Sequence, residues 1–106
     1  MDRKSLSNAV ENGNMEWQRH ALERMLEREI SRKMVKSVLL SGEIVEEYSD
    51  DEPYPSALFL GCIEGQPLHV VAAFDSMSDN CFVITTYKPD QDHFESDYKT
   101  RRSHGN

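Results

Sequence analysis

The apolar residues of this chain change their period at Gly42, dividing the sequence into a helical front and a stranded back. Upstream, at about 100° per residue, Met15, Leu22, Met25 and Leu26 gather on one side of a helix that the pattern starts at Met15. His20, Arg24 and Glu27 fall on the other side. The pattern breaks at Ile30-Ser31, where Ser31 suits the N-cap of a second, shorter helix carrying Met34, Val35, Val38 and Leu39 as its apolar stripe. Gly42 is placed to cap that helix.

Downstream the spacing is that of strands. Glu43 to Tyr48 reads as a first strand whose three acids mark an exposed edge. The two prolines of Ser49–Pro55 exclude a central strand there. Ser56 to Ile63 is apolar enough to be buried on both sides, and Glu64-Gly65-Gln66-Pro67 reads as a hairpin turn. Leu68–Phe74 and Cys81–Tyr87 follow as the third and fourth strands. The expected fold is therefore α+β, with two N-terminal helices packed on a four-stranded antiparallel sheet. Residues 1–14 are expected to be a flexible leader, or a weak helical turn that a partner orders. Residues 15–90 form the single domain, and 91–106 a polar tail. Phe94 and Tyr98, four apart, suggest a short C-terminal helix in that tail.

A chain of 106 residues supports one modest core, and 38% hydrophobic content is that of a folded domain. No run approaches the roughly 20 apolar residues of a membrane span, and the start lacks a signal-peptide core, so a cytoplasmic protein is expected. Cys62 and Cys81 fall on strands that flank a third, about 9–10 Å apart, too far for a disulfide. Both are expected to be reduced and buried.

Charge is polarised along the sequence. Six of the twelve Lys and Arg residues lie between Arg19 and Lys36 beside three acids, whereas Ser37 to Asp97 holds thirteen acids and one lysine. A basic stretch in a chain of net charge −7 points to one local anion site.

His20, Arg24 and Arg28, spaced four apart, form a ridge along the first helix. An imidazole beside guanidinium groups suits phosphate chemistry: one moves a proton near neutral pH, the other grips oxygens in pairs. Basic helix faces are also often simply solvated, and Glu23 and Glu27 stand at pairing distance. His69 lies in the apolar strand Leu68–Phe74, on the face of Val71 and Ala73, and needs a partner or water there. Most such histidines are structural. Tyr87, on the face of Cys81, Val83 and Thr85, is followed by Lys88, so a hydroxyl and an ammonium either line a cleft or merely end a strand. His20, His69, His93 and His104 are scattered, and Asp90, Asp92 and His93 lack ligand spacing, so no metal is expected. With no glycine-rich phosphate loop, no nucleotide cofactor is expected either.

His20-Ala-Leu-Glu-Arg-Met-Leu-Glu-Arg28 resembles the opening helix of the DUF4258 family of small bacterial proteins. The resemblance continues through Ile30-Ser31, Val35, Gly42–Tyr48, the Asp50–Pro55 loop, Leu60-Gly61, Pro67–Val71 and Ile84–Asp90. The family's layout is similar to that of the small ribonuclease toxins of the RelE and BrnT kind, and its relatives often appear beside zinc-finger antitoxin-like proteins. The resemblance implies metal-independent RNA cleavage, with His20 or His69 moving protons and Arg24 and Arg28 clamping phosphate. Tyr87 and Lys88 would assist. It implies an antitoxin as partner and a local, salt-sensitive RNA contact, because the acidic half opposes a long one. The alternative expectation is a non-catalytic protein-interaction module using the same polarised surface.

Overall fold

A computed structural model describes residues 1–102 of the chain. Its elements run α1 (Arg3–Glu11), β1 (Met15–Trp17), α2 (Arg19–Arg28), α3 (Arg32–Ser41), β2 (Glu43–Tyr48), β3 (Ser56–Ile63), β4 (Gln66–Asp75) and β5 (Asn80–Tyr87). One mixed sheet has the order β1-β5-β4-β3-β2, with β1 parallel to β5 and the other neighbours antiparallel. The class is α+β, as expected, but the described residues form five strands and three helices rather than four and two.

Both additions come from the first seventeen residues. The helix expected from Met15 begins instead at Arg19, because Met15–Trp17 pairs with Cys81–Val83 and the Cys81 N–H donates to Asn14 at 3.0 Å. Three residues are too few to show strand alternation, and pairing with β5 decides their conformation. The stretch 1–14, expected as a flexible leader, holds α1, capped by the Asp2 carboxylate accepting from the Lys4 N–H. Leu6, Ala9 and Val10 of α1 are buried in the main core. Arg3 ties α1 to α3: its guanidinium donates to the Leu39 and Gly42 carbonyls at 3.0 and 2.7 Å and lies over the Phe59 ring. Those carbonyls end α3, where a helix has unpaired acceptors and a partial negative charge.

Ser31 caps α3 through the Met34 N–H, as the sequence suggests. Gly42 follows α3 in an extended conformation rather than a left-handed one. Glycine is required there by close approach, since a Cβ would stand 2.5 Å from the Leu60 carbonyl oxygen and 2.6 Å from that of Val38. The β3–β4 hairpin turns on Glu64 and Gly65, both at positive φ (51° and 81°), the conformation that matches strand twist.

The three helices cover one face of the sheet. Ala21 and Met25 of α2, Val35, Val38 and Leu39 of α3, and Phe59, Val70 and Val83 from the strands share this core. Burying a side chain such as Phe59 or Leu39 contributes about 1.5–3 kcal/mol. Leu26, expected with Met25 on the apolar side, is 83% exposed. Cys81 is buried, which pushes its thiol up to about 12, whereas Cys62 near the hairpin end of β3 is exposed rather than buried.

Residues 90–102 form an arm of turns, with a bridge between Phe94 and Arg101, and the helix expected there does not form among the described residues. The remainder of the predicted tail, with His104, lies outside the described residues. The arm crosses the sheet face opposite the helices, where Phe94 packs edge-on against His69 at 4.7 Å.

A cationic cleft at the end of β5

Strand β5 carries a bulge that decides which residues meet. Val71 of β4 faces Thr85, but Ala72 faces Val83, so Ile84 is an extra residue in the ladder. One inserted residue reverses every side chain beyond it. Tyr87, expected on the face of Cys81 and Val83, is carried to the opposite face and pairs with His69. Thr86 turns inward instead, and its hydroxyl donates to the His69 carbonyl at 2.7 Å.

His69 is fully buried and makes bonds at both ring nitrogens. Nε2 lies 2.7 Å from the Tyr98 carbonyl oxygen and Nδ1 3.3 Å from the Tyr87 hydroxyl. Burial holds its pKa below the ordinary histidine value, opposed in part by the bond to Tyr98. Burial also raises the Tyr87 phenol above its ordinary range.

Beside this pair opens a cleft of about 520 Å³ lined by Arg28, Tyr87, Lys88, Pro89, Asp90, His93, Phe94 and Arg101. Arg28 reaches it from the last turn of α2 and donates to the Thr86 carbonyl at 2.8 Å, at the edge of β5 that the three-residue β1 does not cover. Lys88 follows β5 directly and is exposed. Arg101 comes from the arm: it grips both oxygens of Glu46 at 2.9 and 3.0 Å and lies 5.0 Å above the Phe94 ring. Arg101 holds the Glu46 carboxyl below its ordinary value. His93 pairs with Asp90 at 2.8 Å, and Asp90 also accepts from the backbone N–H groups of Asp92 and His93. Arg28 and Lys88 thus face one carboxylate at Asp90, while Arg101 is already paired with Glu46 outside the lining. An anion is the species such a cleft can hold, and a guanidinium with an ammonium is a donor set for phosphate oxygens.

The predicted residues divide into two groups. Arg28, Tyr87 and Lys88 line the cleft and His69 backs it. His20 and Arg24 lie further along α2 and line none of the described cavities; Arg24 is paired with Glu27 at 3.0 Å. Eight residues of helix put His20 about 12 Å from Arg28 along the axis. Arg101, His93 and Phe94 were not singled out for the site, because nothing in local spacing shows that the arm folds back on β4 and β5. The available signals are Phe94, a large apolar residue in a polar tail, and the basic pair Arg101-Arg102.

No group of described residues has the arrangement of a metal site, and no described helix is long and apolar enough to cross a membrane. Fold and cleft together define a small α+β protein with a cleft lined by Arg28, Lys88 and Arg101 at one end of its sheet. The model of a family described as a domain of unknown function, DUF4258, matches residues 17–88, and the chain belongs to that family. No curated protein and no solved structure matches it.

Proposed function

We propose that the protein is a metal-independent ribonuclease, acting as the toxin of a toxin–antitoxin pair, with its active site in the cleft at the end of β5. The observation that carries this reading is the convergence of Arg28 and Lys88 on Tyr87, beside the buried His69. Such a set meets the needs of phosphodiester cleavage by a neighbouring 2′-hydroxyl. Arg28 holds the scissile phosphate and stabilises charge on the phosphorane. Tyr87 accepts the 2′-hydroxyl proton, and Lys88 protonates the departing 5′-oxygen. The products are a 2′,3′-cyclic phosphate and a 5′-hydroxyl. Within this reading His20 and Arg24 extend the cationic ridge and act on binding. The resemblance to RelE- and BrnT-like toxins supports the same chemistry, and the acidic strands limit RNA contact to a short segment.

The test is incubation of the purified chain with single-stranded RNA in EDTA at low salt. Cyclic-phosphate ends are expected, with cleavage slowed about 100-fold in Tyr87→Phe and about 10- to 100-fold in Arg28→Gln. Intact RNA under these conditions overturns the reading. A docking module is the second reading, favoured by the exposed Leu26 on α2 and by β2 at the sheet edge. It predicts an inert chain that still binds its partner.

A further inference from the structure

We propose that Tyr87 and His69 form a proton-accepting pair whose tautomer is set by the C-terminal arm, residues 90–102. The RNA step rests on the ribonuclease reading above; the arrangement of the pair does not. A carbonyl oxygen can only accept, so Nε2 of His69, 2.7 Å from the Tyr98 carbonyl, carries the proton. In the neutral ring the lone pair is then at Nδ1, and the Tyr87 hydroxyl 3.3 Å away donates to it. The Tyr87 proton is thereby turned inward, leaving the phenolic oxygen as an acceptor for a group in the cleft.

In cleavage, the 2′-hydroxyl gives its proton to the Tyr87 oxygen as the Tyr87 proton passes to Nδ1. The 2′-oxygen–phosphorus bond forms, the bond from phosphorus to the 5′-oxygen breaks, and Lys88 supplies the proton to the leaving oxygen. The resulting imidazolium stays bonded to the Tyr98 carbonyl. It returns its proton through Tyr87 to solvent, and Lys88 is reprotonated from solvent.

The arm lies beyond the matched residues 17–88, yet it carries the acceptor that this arrangement needs. Tyr98 sits in the left-handed region at φ 58°, uncommon for an aromatic residue. The turn that presents its carbonyl is held by Asp97, which accepts from the Lys99 and Thr100 N–H groups at 2.9 and 3.0 Å. Arg101 anchors the arm on Glu46, and Phe94 closes over the imidazole. The charged and titratable groups around the ring are Tyr87 of β5, Glu46 of β2 and Arg101 of the arm, with Arg28 of α2 bearing on Tyr87.

Nitrogen-15 NMR of the His69 ring in the full chain tests the arrangement without reference to activity. At pH 7.5 a neutral ring protonated at Nε2 is expected, and Arg101→Gln should move it toward a mixture of tautomers. Protonation at Nδ1, an imidazolium at that pH, or a ring indifferent to Arg101→Gln overturns the proposal. With RNA, His69→Gln and Tyr87→Phe should each lower kcat about 100-fold with KM little changed, and the double variant should be no worse. Additive losses overturn the pair. A wild-type chain that leaves RNA intact removes the ribonuclease reading, and the NMR result then decides the pair by itself.

Discussion

The imidazole of His69 stands edge-on to the ring of Tyr87, with Nδ1 3.3 Å from the phenolic oxygen across the β4–β5 ladder. This relation exists because of the bulge at Ile84, and it joins a fully buried histidine to a cationic cleft.

Acid should destabilise the fold through His69. Its folded pKa lies below the ordinary value near 6.5, so the neutral ring contributes stability that is complete above the unfolded pKa. That contribution is lost as pH falls through the folded value. Thermal unfolding at pH 7.5 and pH 5 should show a larger drop in Tm for the wild type than for His69→Gln. Equal drops would exclude His69 as the source.

Loss of a phosphate clamp should be costly where the clamp is in the cleft. Arg28→Gln is expected to lower kcat/KM by about 10- to 100-fold, the equivalent of a charged hydrogen bond of roughly 1.5–3 kcal/mol. His20→Ala and Arg24→Ala should change KM by a few-fold and leave kcat in place. Steady-state cleavage of a short RNA separates these cases, and a collapse of kcat in His20→Ala would move the site up α2.

Arg3→Met keeps the aliphatic stem of Arg3 but leaves the Leu39 and Gly42 carbonyls at the end of α3 without their donor. A loss of about 1–3 kcal/mol is expected in urea unfolding. A change within 0.5 kcal/mol, about that of an ordinary surface substitution, would show that α1 is held by apolar contact alone.

Two glycines should respond differently to alanine. At Gly42 the new Cβ meets backbone carbonyl oxygens of Leu60 and Val38, whereas at Gly61 the nearest atom is Cγ2 of Val38, at 2.7 Å. Both substitutions should cost about 1–3 kcal/mol. Val38→Ala should recover part of the cost of Gly61→Ala and none of that of Gly42→Ala. The double-mutant cycles read the coupling directly.

The exposed pair Arg24–Glu27 should contribute little to stability, about 0.3–0.5 kcal/mol for helix-spaced ions. Raising salt from 0.05 to 0.5 M should therefore leave the unfolding free energy of Glu27→Gln and wild type within that margin of each other.

Local chemistry determined much of this protein directly from its sequence. The change of apolar period at Gly42, the Ser31 cap, a hairpin turn within Glu64–Pro67 and the cores of β3, β4 and β5 all depend on neighbours within a few residues. Family membership is legible for the same reason, since each matching block is itself a short unbroken run of residues. That Gln66 and Pro67 already belong to β4 is decided by pairing with Ile63 and Cys62. Tertiary structure decided the rest. Met15–Trp17 is a strand only because β5 offers it a partner, and α1 is buried only because α3 and the sheet receive it. Tyr87 meets His69 because the bulge at Ile84 reverses its side chain. The arm reaches the cleft through the Arg101–Glu46 pair, 55 positions apart. A bulge and a long-range ion pair leave no period in the chain, because the energy that selects them comes from residues remote in sequence.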